Sequence, residues 1–89
     1  MRGMNVSIDR SIILQRLQML AKEGVNVDPE VLTPDALLAD IGIDSFSLIE
    51  LVFLAEEEFK IKIPFEGLKV KTVGDVVNVI EQNVAAAAS

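Results

Sequence analysis

Between Ser45 and Phe59 apolar side chains recur at helical spacing, and this stretch limits the possible folds more than any other part of the chain. With successive residues about 100° apart, Leu48, Leu51, Val52, Ala55 and Phe59 fall on one stripe, which predicts a helix with that face in a core. Almost opposite lie Phe46, Glu50, Phe53 and Glu57, flanked by Ile49, Glu56 and Lys60. Apolar groups interleaved with acids on an outward face fit a docking surface for a partner with a basic rim and an apolar pocket. The alternative is that other parts of the protein cover Phe46 and Phe53, because a helix that is apolar all round is often simply buried.

Two further helices are legible. Ser7 is expected to cap a first helix in which Ile13, Leu17, Leu20 and Ala21 recur, with Ile8, Ile12 and Leu14 widening the stripe until Gly24 stops it. Thr72-Val73-Gly74-Asp75 reads as a capping box with Asp in place of Glu, and Val73, Val76, Val77, Ile80 and Val84 then form the stripe of a last helix. Residues 25–44 are a long connection holding Asp28-Pro29 and Thr33-Pro34, the latter resembling an N-cap followed by proline at the first helical position. A short turn is expected around Asp35–Leu38. After Pro64 the chain is irregular and locally basic, with room for a short helix near Phe65–Leu68. Loops beyond about 12–15 residues in compact domains tend to be functional or to hold small elements of their own, and the first connection delivers the chain to Ser45.

The composition removes whole classes of chemistry. Cysteine and histidine are both absent, so disulfides, zinc–thiolate sites, a thiol nucleophile and a serine–histidine hydrolase arrangement cannot be built. No catalytic residue is expected, and a metal site would need oxygen ligands alone. Asp40, Gly42, Asp44 and Glu50 superficially resemble a calcium ladder. Counted from Asp40, however, Ser45 falls where the turn needs glycine and Leu51 falls where a bidentate glutamate belongs, so no metal site is assigned. Apolar runs such as Leu51–Ala55 are far short of the roughly 20 residues that cross a bilayer, and Asp9, Arg10, Gln15 and Arg16 break any signal-peptide core. The chain reads as cytoplasmic.

The net charge of −6 makes nucleic acid and anionic lipid poor partners, since both call for a basic footprint. From Glu23 to Phe59 the acids are Glu23, Asp28, Glu30, Asp35, Asp40, Asp44, Glu50, Glu56, Glu57 and Glu58, with no lysine or arginine among them. Such one-sided acidity steers basic partners, unless it serves only solubility.

Within that acidic half, Gly42-Ile43-Asp44-Ser45 places one serine at the mouth of the strongest helix. A helix start favours a negative group, so a phosphodiester on Ser45 would be electrostatically welcome there. Asp44 and Ser45 are also both good helix caps, a role that requires no function at all. An unmodified acidic interaction module therefore stands as the competing reading.

Taken in register, Asp40-Ile41-Gly42-Ile43-Asp44-Ser45-Phe46-Ser47-Leu48-Ile49-Glu50-Leu51-Val52, then Glu56-Glu57-Glu58-Phe59 and Ile63-Pro64, resemble the acyl carrier protein family, in which a serine of an Asp-Ser-Leu motif receives 4′-phosphopantetheine. The similarity spans roughly Ile8 to Val84. It implies an all-α four-helix bundle with a long first loop and a short third helix. Residues 1–7 would then be an extension, 8–84 the carrier domain and 85–89 a low-complexity tail.

By this resemblance Ser45 would be the attachment site for the group, donated from coenzyme A. Asp44 would help present it to a phosphopantetheinyl transferase. Acyl-loading and acyl-processing enzymes with basic docking patches would read Phe46, Ile49, Glu50, Phe53, Glu56 and Glu57. The implied protein is a monomeric, non-enzymatic shuttle for acyl thioesters in fatty-acid, polyketide or related lipid metabolism, with an aminoacyl or peptidyl carrier as the variant reading. Phe46 stands where leucine is usual, and Ser47 where a standard fatty-acid carrier often has an acid. With a connection after Pro64 that looks short, these departures point to a specialised member.

Overall fold

The computed structural model describes residues 9–64 and 68–88, which contain three α-helices: α1 (Arg10–Gly24), α2 (Ser45–Phe59) and α3 (Val73–Ala88). Single-turn 3₁₀ helices at Pro29–Val31 and Ala39–Ile41 interrupt the first connection. The fold is all-α. The short helix expected over Phe65–Leu68 falls largely on residues 65–67, outside the described residues.

Each helix starts on a side chain that satisfies amides the helix itself leaves open. For α1 the cap is Asp9, whose carboxylate accepts the Ser11 N–H at 3.3 Å, rather than the expected Ser7, which lies with Ile8 outside the described residues. Ile13, Leu17 and Ala21 face the core as expected, but Ile12 is exposed, so the stripe is narrower than its composition implied. In α3 the capping box forms in both directions: the Asp75 N–H donates to the Thr72 hydroxyl and the Thr72 N–H donates to the Asp75 carboxylate, each at 3.1 Å. Val73, Val76, Val77 and Ile80 are buried, and α3 continues through the alanines to Ala88.

The connection between α1 and α2 is anchored rather than loose. The cap followed by proline is Asp28-Pro29, where the Asp28 carboxylate accepts the Glu30 N–H at 2.9 Å, and Thr33-Pro34 forms a turn closed by the Ala36 N–H on the Thr33 carbonyl. Leu32, Leu38 and Ile43 drop from this segment into the core. Further along, it is zipped to the approach to α3: Leu38 N–H donates to the Lys71 carbonyl at 2.9 Å, Val73 N–H to Ala36 at 3.0 Å and Gly74 N–H to Pro34 at 2.9 Å. A single antiparallel bridge pairs Leu37 with Thr72.

At the surface, Arg10 pairs with Glu81 and Asn78, tying α1 to α3, while Arg16 pairs with Glu58, tying α1 to α2. Exposed pairs of this kind contribute about 0–1 kcal/mol each, so the apolar core carries most of the stability. No polar or charged side chain among the described residues is buried, and none of the described helices is long and apolar enough to cross a membrane.

Candidate functional site

The approach to Ser45 is set by Gly42, which ends the 3₁₀ turn Ala39–Ile41 with φ 84° and ψ 14°. This left-handed conformation suits glycine and strains other residues. The Ile43 N–H then donates back to the Leu38 carbonyl at 2.9 Å, and the Ile43 side chain is buried. The next residue, Asp44, is thereby delivered to the surface.

Asp44 is the N-cap of α2, and its carboxylate accepts the Ser47 N–H at 2.9 Å. The Ser47 backbone N–H and then the Ser47 hydroxyl hold the Asp44 carboxyl below its ordinary value against an opposing cost of desolvation, with a lesser contribution from the Phe46 N–H. Capping therefore belongs to Asp44 and not to Ser45, although either residue type suits the role. Ser45 is the first residue of the helix, and it is exposed. No described residue holds its hydroxyl in a hydrogen bond.

Ser45 opens on a cleft of about 500 Å³. Leu37, Ile43 and Leu48 line it together with Val70 and Lys71 from the approach to α3. The arrangement supplies a reachable hydroxyl at a helix start and an apolar trough beside it. Among the described lining residues the one carboxylate is Asp44, already engaged by the Ser47 N–H, and the one ammonium is Lys71.

Along α2 the two predicted faces separate cleanly. Leu51, Val52 and Ala55 are buried, with Leu48 and Phe59 packed against them. On the other side Phe46 is 70% exposed, Phe53 53% and Ile49 40%, among the exposed Glu50 and Glu57. Glu56 differs from its neighbours. It is half-buried, and its carboxylate accepts the Ile63 N–H at 2.6 Å, so part of its charge is used to fasten the segment after α2.

The family model described as phosphopantetheine attachment site matches residues 15–80, a span that holds the whole cleft and all of α2. The chain belongs to the acyl carrier protein family. An acyl carrier protein of Thermosynechococcus vestitus is 40% identical over 81 residues, covering 89% of this chain and 100% of that protein. Acyl carrier proteins from two Helicobacter pylori strains, J99 and G27, are 41% and 40% identical over 73 residues, covering 80% of this chain and 94% of each relative.

As a member of this family the chain is a carrier and not a catalyst, and it bears a covalent 4′-phosphopantetheine. It works with a phosphopantetheinyl transferase and with acyl-processing enzymes. The residues present fit such a group: Ser45 offers an unengaged hydroxyl at a helix start, where a phosphodiester is favoured, and an apolar trough lies alongside.

The sequence reading missed the far wall of this cleft. Val70 and Lys71 reach Ser45 only through the pairing of the first connection with the approach to α3, and no local spacing encodes that pairing. The one available sign was the apolar pair Leu37-Leu38 within the proline-bearing loop.

Proposed function

We propose that Ser45 is the residue that carries the 4′-phosphopantetheine. The arm's terminal thiol supplies the chemistry, holding acyl groups as thioesters for enzymes of fatty-acid, polyketide or related biosynthesis. The observation that carries this reading is the exposed hydroxyl of Ser45, bonded by no described residue, at the first position of α2 inside the matched span. Asp44 presents that hydroxyl by fixing the turn through its bond to Ser47, and its ionised carboxylate stands beside the point where the transferase and coenzyme A arrive.

Phe46, Ile49, Glu50, Phe53, Glu56 and Glu57 form the surface that partner enzymes read. The exposure of the apolar members beside fixed acids supports this, because a partner with a basic rim around an apolar pocket meets both needs at once. Glu56 contributes least, since Ile63 already occupies one of its oxygens. The bulk of Phe46 next to Ser45 selects among partners by shape, which fits a specialised carrier. We read residues 8–84 as the carrier domain, a four-helix bundle with a short third helix, acting as a monomer in the cytoplasm.

The interior between α2, α3 and the Ile63–Leu68 side holds only about 10 Å³ of free space, lined by Val52, Ala55, Ile63, Leu68, Val76 and Ile80. That volume is near the size of one water, so an alkyl chain enters only if these walls part. The test of the attachment site is coexpression with a broad phosphopantetheinyl transferase, followed by intact mass spectrometry of wild type and Ser45→Ala. Wild type gains one prosthetic group and Ser45→Ala gains none; a variant that still gains the group refutes the assignment.

A further inference from the structure

We propose that Lys71 is the counter-ion of the phosphodiester on Ser45 and draws the attached arm across the cleft toward Val70, rather than out along α2. The inference rests on Ser45 being the attachment residue. Lys71 and Ser45 line the same cleft, and Lys71 is the only basic residue among the described residues that line it.

The wall bearing Lys71 is rigid. Its carbonyl accepts the Leu38 N–H at 2.9 Å, its N–H donates to the Asp75 carboxylate at 2.9 Å, and the adjoining Thr72 is bridged to Leu37. The side chain is exposed and extends from a backbone that cannot drift.

The charges around it give Lys71 its weight. Asp44 lies in the same cleft and is held ionised by Ser47, and the whole stretch from Glu23 to Phe59 contains acids without a single base. A phosphodiester added at Ser45 thus enters a negative surround, relieved by the start of α2 and by the Lys71 ammonium. Asp75 faces the ammonium from α3. Its carboxyl is lowered mainly by the Lys71 and Thr72 N–H groups, which both donate to Oδ2, and in smaller part by the Lys71 charge. No described carboxylate is in ion-pair contact with the Lys71 ammonium, so its charge is available to a second anion. Leu37, Leu48 and Val70 give the methyl and methylene groups of the arm an apolar trough on the same path.

The experiment compares backbone amide shifts of apo and holo ¹⁵N-labelled protein for wild type, Lys71→Gln and Lys71→Arg, at low salt and at about 0.5 M salt, where screening shortens the reach of surface charges to a few Å. In wild type the attached group should move the amides of residues 70–72 together with those of 44–47. Lys71→Gln should lose the response at 70–72 while keeping it at 44–47, Lys71→Arg should retain both, and salt should weaken only the response at 70–72. Because Lys71 bonds to Leu38 and Asp75 through its backbone, an unshifted Leu38 amide in apo Lys71→Gln verifies that the wall is intact. A holo wild type whose shifts stay within 44–47, or a Lys71→Gln variant that keeps the response at 70–72, overturns the inference alone. A chain that remains at its apo mass overturns the attachment at Ser45 and this inference with it.

Discussion

Replacing Phe46 by alanine should separate function from folding, and the structure sets the size of the contrast. A phenylalanine has about 150–250 Å² to bury. Phe46 is 70% exposed, so less than a third of that area is hidden in the folded chain. About 60 Å² at about 25 cal/mol per Å² gives about 1.5 kcal/mol, an upper bound because the unfolded chain hides some of the same area. Leu51, five positions on and turned inward, is 1% exposed, and Leu51→Ala should cost about 2–5 kcal/mol through lost transfer energy and the cavity left behind. In a domain of this size 1 kcal/mol moves the melting temperature by about 4–8 °C, so Leu51→Ala should lower it by about 8–40 °C or unfold the chain, whereas about 6–12 °C is the ceiling for Phe46→Ala. Urea and thermal unfolding followed by far-UV circular dichroism measure both. The same Phe46→Ala preparation should be a poorer substrate for the transferase and for downstream enzymes. If Phe46→Ala destabilises the fold as much as Leu51→Ala does, the outward face of α2 is core and the docking argument fails.

Three further outcomes follow from the same structure. Gly42→Ala should destabilise by about 1 kcal/mol, because the added Cβ meets no atom within 4 Å and only the left-handed backbone resists it, so unchanged or raised stability in urea would contradict the assigned turn. Asp44 and Asp75 both have lowered carboxyl values, so the stability they add is fully present above the ordinary carboxyl range near pH 4 and is lost as pH falls through their folded values. Urea midpoints should therefore fall more steeply below about pH 4 in wild type than in an Asp44→Asn/Asp75→Asn variant, and parallel curves would refute the two caps as the cause. Moderate salt should raise the melting temperature by screening a chain of net charge −6, and a flat or falling value would show that repulsion is not limiting.

What the sequence made legible was whatever a local period or a short-range cap encodes. The two faces of α2, the Thr72–Asp75 box and the burial of Val73, Val76, Val77 and Ile80 all depend on residues three or four apart, and each is found where that spacing places it. The start of α1 was misplaced because Ser7 and Asp9 are both capable caps, and the choice depends on where packing of Ile13 and Leu17 begins the helix. Thr33-Pro34 and Asp28-Pro29 present the same ambiguity, and the fully buried Leu32 that follows Pro29–Val31 explains why the earlier pair makes the helical turn. Leu32, Leu38 and Ile43 were unreadable as core because apolar residues in a loop have no regular period; the pairing with Lys71 and Val73 holds the Leu38 end, while Gln18 of α1 bonds the Leu32 carbonyl. The same long-range contact hid half of the cleft at Ser45, while Asp44, Ser45 and the α2 face, being contiguous, were visible from the start.

The central claim is that one hydroxyl, at Ser45, bears the swinging arm. Proteolysis of the modified wild-type protein followed by fragment mass spectrometry tests it most directly. The phosphopantetheinyl mass should appear on the backbone fragment that contains Ser45 and excludes Ser47; the group found on Ser47, on Ser11 or on no fragment would refute attachment at Ser45.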